Sequence, residues 1–131
     1  MTLYNNVFIA DDDPEDREIF MEALAAVDGT IQCFSANDGE KAIRVLNTDI
    51  LEKPDLIFLD MNMPFLTGKQ VLEQLKKLEV LRDIPVIMYS TFFNEQDIAD
   101  IHALGAVHYM IKPTSFEVLV NSLTAVLSRK W

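Results

Sequence analysis

Bases, cysteine and long apolar runs are all scarce in this chain. Of its 131 residues only 11 are lysine or arginine, against 21 aspartates and glutamates, for a net charge of −10. A surface of that sign repels phosphate backbones, which argues against direct binding to nucleic acid. Cys33 is the single cysteine. An internal disulfide framework and a multi-cysteine zinc site are therefore excluded, and the expected compartment is the cytoplasm. Cys33 itself reads as a small buried hydrophobe rather than a redox centre. No apolar run approaches the roughly 18 uncharged residues of a membrane span. The opening MTLYNNVFIADDD has neither a basic segment nor a small-residue cleavage site, so it does not read as a secretory leader.

Half of the residues are hydrophobic, enough for one core at this length. Residues 1–131 are read as a single domain with no linker, no internal repeat and no second domain. The acidic excess is unevenly spread. Asp11, Asp12, Asp13, Glu15, Asp16 and Glu18 crowd together, relieved only by Arg17. Such a cluster calls for a solvated helix face or a cation.

Five short apolar runs predict strands: VFIA at 7–10, IQCF at 31–34, DLIFL at 55–59, PVIMY at 85–89 and HYMI at 108–111. They run continuously instead of alternating, as strands buried on both faces of a parallel sheet do. Helical spacing fills the gaps. Ile19, Phe20, Ala23, Leu24 and Val27 share a face behind Pro14, which suits a first turn, with Gly29 as the stop. Ala42, Ile43 and Leu46 mark a second helix from about Asn37 or Asp38. Val71, Leu72, Leu75 and Leu78 mark a third. Ile98, Ile101 and Leu104 mark a fourth between Asn94 and Gly105. Thr114 to Glu117 fits a capping box for a fifth helix, with a stripe of Phe116, Leu119, Leu123, Val126 and Leu127. Arg129 and Lys130 suit its negative end. A β-α unit repeated five times predicts a doubly wound α/β fold: a five-stranded parallel sheet in flavodoxin-like order 2-1-3-4-5, with helices on both faces.

Ligands in such sheets bind beyond the carboxyl ends of the strands. Those ends carry Asp11, Asp12 and Asp13, then Asp60, then Ser90 and Thr91, then Lys112 with Pro113. Carboxylates held close raise one another's pKa unless a cation neutralises them. An all-oxygen site with few protein ligands suits Mg²⁺. Lys112 reads as the partner of the acidic rim, and Pro113 restricts its backbone to an extended form that helps to aim it. Glu15 and Asp16 read as no more than the solvated first turn of a helix.

The order and intervals of four fragments carry a resemblance. VFIADDDPEDR, IFLDMNMPFLTG, PVIMYST and GAVHYMIKP together resemble the motifs of a two-component response-regulator receiver domain, of the single-domain, chemotaxis-regulator-like kind. The resemblance covers essentially the whole chain. It implies that Asp60 accepts a phosphoryl group from a histidine kinase or a phosphotransfer protein, in a Mg²⁺-dependent reaction. It implies that Asp11, Asp12, Asp60 and the backbone carbonyl of Asn62 hold the metal, with Asp12 the more direct ligand of the acidic pair. Ser90 and Lys112 would each take a phosphoryl oxygen, and Tyr109 would change rotamer with Ser90 on activation. The Lys112–Pro113 peptide is commonly cis in that family. With no output domain, signalling would pass to a protein partner or by self-association, through the fourth helix, fifth strand and fifth helix. Thr91 and Phe92 depart from the usual pattern and could narrow the approach to Asp60. His102 and His108 read as structural.

Two other functions meet obstacles. A phosphatase of the haloacid-dehalogenase type needs a second aspartate two positions after the nucleophile, where Asn62 stands and cannot act as acid or base. A flavin carrier needs a glycine- and hydroxyl-rich phosphate loop after the first strand, where Asp11 to Asp13 would repel the phosphate.

Overall fold

A computed structural model of the chain describes residues 2–49 and 53–131. Its strands are β1 (Asn6–Ala10), β2 (Gln32–Ala36), β3 (Leu56–Asp60), β4 (Val86–Ser90) and β5 (His108–Ile111). They alternate with helices α1 (Pro14–Val27), α2 (Gly39–Arg44), α3 (Gly68–Lys77), α4 (Glu95–Ala103) and α5 (Phe116–Leu127). A π-helical turn, Val45–Asp49, extends α2. All strand pairs are parallel, in the order β2-β1-β3-β4-β5.

Every residue of β1, β3 and β4 is buried, which is why their apolar runs do not alternate. The edge strands β2 and β5 do alternate in burial, because only one face of each is covered. Successive side chains feed opposite cores. Phe8, Ile57, Leu59, Val86 and Met88 pack with α2, α3 and α4. Val7, Ile9, Phe58, Ile87 and Tyr89 pack with α1 and α5.

Helix boundaries follow local chemistry, with some departures from expectation. Asp13 caps α1 by accepting from the backbone N–H groups of Glu15 and Asp16, and Pro14 fills the first turn. The α1 stop is Asp28 in an extended conformation, so Gly29 is not the residue that turns the chain. Thr67 and Gln70 close a capping box on α3, a signal present in the sequence but not read there. The α5 cap is Ser115, one residue later than the expected box, and its side chain accepts from Val118 N–H. Because α5 ends at Leu127, Arg129 and Lys130 lie beyond its last turn. Gly105 terminates α4 with φ +104°, a backbone that disfavours any side chain.

The helix α4 is the one held least by burial. Ile101 is its only fully buried residue, whereas α1 buries three and α3 four. An ion triad supplements it: Lys69 Nζ lies 2.8 Å from Asp97 and 2.9 Å from Asp100, joining the start of α3 to α4. At the other end of the sheet Trp131 stacks on His108, 4.9 Å between ring centres, and takes the Arg129 guanidinium over its indole. His108 is thus a packing partner, while His102 is exposed.

Candidate phosphoacceptor site at the strand ends

The alternation of side chains along each strand decides which rim residues can meet. Asp11 follows Val7 and Ile9 on the face toward α1 and α5. Asp60 follows Leu56 and Phe58 on the same face, and Lys112 follows Met110. The ladder extends one residue past β5, with Lys112 N–H donating to the Ser90 carbonyl at 2.7 Å. Lys112 is therefore delivered to the rim as though it were a strand residue. Its ammonium lies 2.7 Å from Asp11 Oδ2, 3.0 Å from Asp16 Oδ2 and 3.6 Å from Asp60 Oδ2. It also sits over the Tyr89 ring, 5.3 Å from the centroid.

Asp11 is completely buried, yet both its oxygens are occupied. Oδ1 accepts from Asp13 N–H at 3.0 Å, and Oδ2 accepts from Lys112. Arg17 donates to the Asp11 carbonyl and secures the turn into α1. Asp12 is exposed. Asp60 is 5% exposed, and one of its oxygens accepts from Asn62 N–H at 3.3 Å. Asp11, Asp12 and Asp60 can each offer an oxygen within 4.8 Å of the others. Such a set of hard oxygen donors fits a divalent cation of the Mg²⁺ type.

Burial pushes the Asp60 pKa up to about 7; Lys112 opposes that rise and the charge of Asp11 adds to it. Burial also works against the charge on Lys112. The hydrogen bond to Asp11 and the proximity of Asp60 outweigh it, so the ammonium is held above its ordinary pKa. Burial raises the Tyr89 hydroxyl, with Lys112 opposing. The rim is thus a shortage of positive charge, with several carboxylates around one ammonium.

Ser90 projects to the other face, toward the core shared with α3 and α4. It is 1% exposed, and its Oγ is buried without a hydrogen-bond partner among the described residues. A buried hydroxyl in that state is costly and calls for an explanation. Tyr109 lies on the same side, 38% exposed, with its ring 5.1 Å from Phe93. The consecutive phenylalanines divide: Phe93 enters the core with Ile101, while Phe92 is 68% exposed. Thr91 is also exposed.

The loop after Asp60 is shaped by two backbone features. Phe65 has φ +68° and is spanned by a bond from Leu66 N–H to the Pro64 carbonyl, a strained three-residue turn. Gly68 then folds back onto the strand end, its N–H donating to the Met61 carbonyl at 3.0 Å.

The structure brings Asp11, Asp12, Asp60 and Lys112 together and sets Ser90 on the opposite face beside them. It corrects two expectations. Asp16 is an ion-pair partner of Lys112 and not a bystander in a solvated turn. The described residues contain no cis peptide, so Lys112–Pro113 is trans. The signal for Asp16 was present: it lies four residues before Phe20, on the inward stripe of α1.

The family model for the response regulator receiver domain matches residues 7–124. The chain is 34% identical over 123 residues to the phosphate regulon transcriptional regulatory protein PhoB of Pseudomonas aeruginosa, covering 94% of this chain and 52% of that one. It spans about half the length of the curated relatives it matches. Two solved structures are similar over nearly their whole length. The phosphorylated cyanobacterial phytochrome response regulator RcpA superposes with a TM-score of 0.85 at 29% identity, covering 94% of this chain and 91% of that one. The chemotaxis response regulator CheY4 of Vibrio cholerae gives 0.79 at 25% identity, covering 94% and 98%.

Proposed function

This chain belongs to the response-regulator receiver domain family, and from that premise we propose that Asp60 is its phosphoacceptor, in exchange with a histidine kinase or a histidine phosphotransfer protein. The observation that carries the reading is the surroundings of Asp60: buried at a strand end, in a cluster with Asp11 and Asp12, with Lys112 within 3.6 Å. Phosphoryl transfer asks for an in-line nucleophile and neutralised charge more than for acid–base chemistry. One Asp60 oxygen forms the new bond to phosphorus while the bond to the donor nitrogen breaks. Asn62 N–H orients the carboxylate, and Lys112 offers a proton donor to a phosphoryl oxygen. The unpartnered Ser90 hydroxyl gains a hydrogen bond by turning to another. Space vacated by Ser90 would admit Tyr109, altering the surface it now occupies.

Asp12, Asp60 and the Asn62 carbonyl would hold Mg²⁺, with Asp11 acting through water because both its oxygens are engaged. When bound, the ion supplies positive charge to the transferring phosphoryl oxygens. The chain thereby assists its own phosphorylation and dephosphorylation. The direct test is incubation with Mg²⁺ and acetyl phosphate, followed by mapping of the modified residue. Label found anywhere but Asp60 overturns the reading.

Asp12→Ala is expected to remove Mg²⁺ binding in calorimetric titration and to raise the melting temperature in chelator by relieving carboxylate repulsion. Unchanged affinity would place the metal elsewhere among the acidic residues. Thr91 and Phe92 follow Ser90 and are both exposed; we propose that they border the path by which water reaches Asp60 in line. Thr91→Ala or Phe92→Glu is expected to speed loss of phosphate by roughly tenfold, about 1.4 kcal/mol of barrier. Decay of both variants at the parent rate would remove these side chains from the approach path.

We further propose the α4–β5–α5 face as the output surface, toward a protein partner or a second copy. Val107, Tyr109, Ile111, Phe116 and Val118 are exposed there, beside a cleft of about 200 Å³ between α4 and β5. No helix among the described residues is long and apolar enough to cross a membrane. Burial pushes the Cys33 thiol up to about 12, which disfavours a reactive thiolate.

A further inference from the structure

Lys112 is bonded to two carboxylates, and neither is the one it should serve. Hydrogen bonds run to Asp11 at 2.7 Å and to Asp16 at 3.0 Å. Asp60 Oδ2, at 3.6 Å, is close enough for charge attraction but beyond hydrogen-bond reach. Asp16 lies outside the metal-capable cluster of Asp11, Asp12 and Asp60. In the first turn of α1 it could rest on solvent and the helix dipole alone. Instead its partly exposed carboxylate reaches the lysine at the end of β5. Asp16, Lys112 and Tyr89 line a cleft of about 270 Å³ between α1 and α5, together with Pro113 and Phe116.

Building on Asp60 as phosphoacceptor and Lys112 as its cation, we infer that Asp16 is a positioning residue that competes with the phosphoryl group for Lys112. A phosphoryl group on Asp60 puts strong acceptor oxygens beside the ammonium. Lys112 can answer them and keep Asp11, which is buried beside Asp60. The third N–H of the ammonium is open to them, but closing the 3.6 Å gap to Asp60 requires Lys112 to shift, and the bond to the partly exposed Asp16 is the one that gives way. Whatever that bond contributes in the resting state is lost on phosphorylation, so Asp16 weakens retention of the phosphoryl group.

The test is binding of beryllofluoride with Mg²⁺ to the full chain, followed by calorimetry at fixed ionic strength. Asp16→Asn is expected to bind about three- to tenfold more tightly than the parent, and Asp16→Glu, which keeps the carboxylate, to return close to the parent value. Glu15→Gln removes the same charge from an exposed neighbouring side chain that makes no ion pair with Lys112 among the described residues. It is expected to change affinity less than twofold. Unchanged or weaker binding by Asp16→Asn overturns the inference. So does an equal gain in Glu15→Gln, which would trace the effect to net charge alone. If the parent itself fails to bind beryllofluoride, the assignment of Asp60 falls and this inference falls with it. If the parent binds and Asp16→Asn shows no gain, only the role of Asp16 is lost.

Discussion

Asp60→Asn is expected to abolish Mg²⁺-dependent labelling by acetyl phosphate and by a histidine-linked donor, while making the metal-free protein more stable at neutral pH. The first effect follows from removing the nucleophile; the amide is nearly isosteric but cannot form the acyl phosphate. The second follows from where Asp60 sits. Its folded-state pKa of about 7 lies above the ordinary carboxylate value of 3.8. A carboxyl with a raised pKa holds its proton more tightly when folded. Its contribution to stability is complete below about pH 4 and is lost as pH rises through 7. In chelator, parent and variant should therefore be closest in acid and diverge across that window, with the variant ahead by about 2 kcal/mol at pH 8. Attraction to Lys112 is already contained in that pKa; relaxation and water at the rim soften the burial penalty and keep the gain below the full linkage value. Urea denaturation across pH measures it. Full labelling of the variant would remove Asp60 from the reaction. A parent whose stability runs parallel to the variant at every pH would mean that Lys112 already neutralises the buried carboxylate.

Gly68→Ala is expected to be the most destabilising small substitution in the site. A Cβ there would lie 2.2 Å from the Asp60 carbonyl oxygen and 2.9 Å from Met61 Cα. Both are backbone atoms, so no side chain can swing away to make room. Relief requires that the start of α3 retreat from the end of β3, taking with it the loop that carries Asn62. A cost of about 3 kcal/mol or more is expected by denaturant titration. Labelling of the folded fraction should also slow by tenfold or more, because Asp60 and Asn62 lose their alignment. Gly29→Ala is the control: its Cβ would meet only the Ala25 carbonyl, at 3.8 Å, and the backbone there needs no positive φ. It should be neutral or slightly stabilising. Equal costs for the two would mean that the Gly68 contact relaxes freely.

Ordering of the β3–α3 loop ties these results together. Pro64, the strained turn at Phe65 and the close approach of Gly68 all act on the few residues that present Asp60 and Asn62. Strain of this kind persists only where the surrounding structure enforces it. Here the capping box of Thr67 and Gln70 and the buried stripe of α3 supply that enforcement.

Much of this was readable from residues alone. The buried strands are continuous apolar runs because both faces are covered, and the helices show their inward stripes at Phe20, Leu72 and Leu123. Chemistry gathers at strand ends, so Asp11, Asp60, Ser90 and Lys112 could be named from their place just past each run. Periodicity is a local property, and the sequence determines it by itself. Caps are less secure. Ser115 took the place expected of Thr114, and Asp28 ended α1 before Gly29, because neighbouring residues offer competing hydrogen bonds and packing chooses between them. The partners of Lys112 were decided only in three dimensions. Asp16 and Lys112 stand 96 positions apart in the chain. Which carboxylate an ammonium reaches depends on the docking of α1 against α5, on the ladder bond that aims Lys112, and on differences of less than an ångström between acceptors. Side-chain alternation likewise put Ser90 on the face opposite Asp60, leaving its hydroxyl buried and unpaired. Residue type marks a group as able to pair; only tertiary packing determines whether a partner is within reach, because a hydrogen bond fades over a fraction of the distance that sequence spacing can specify.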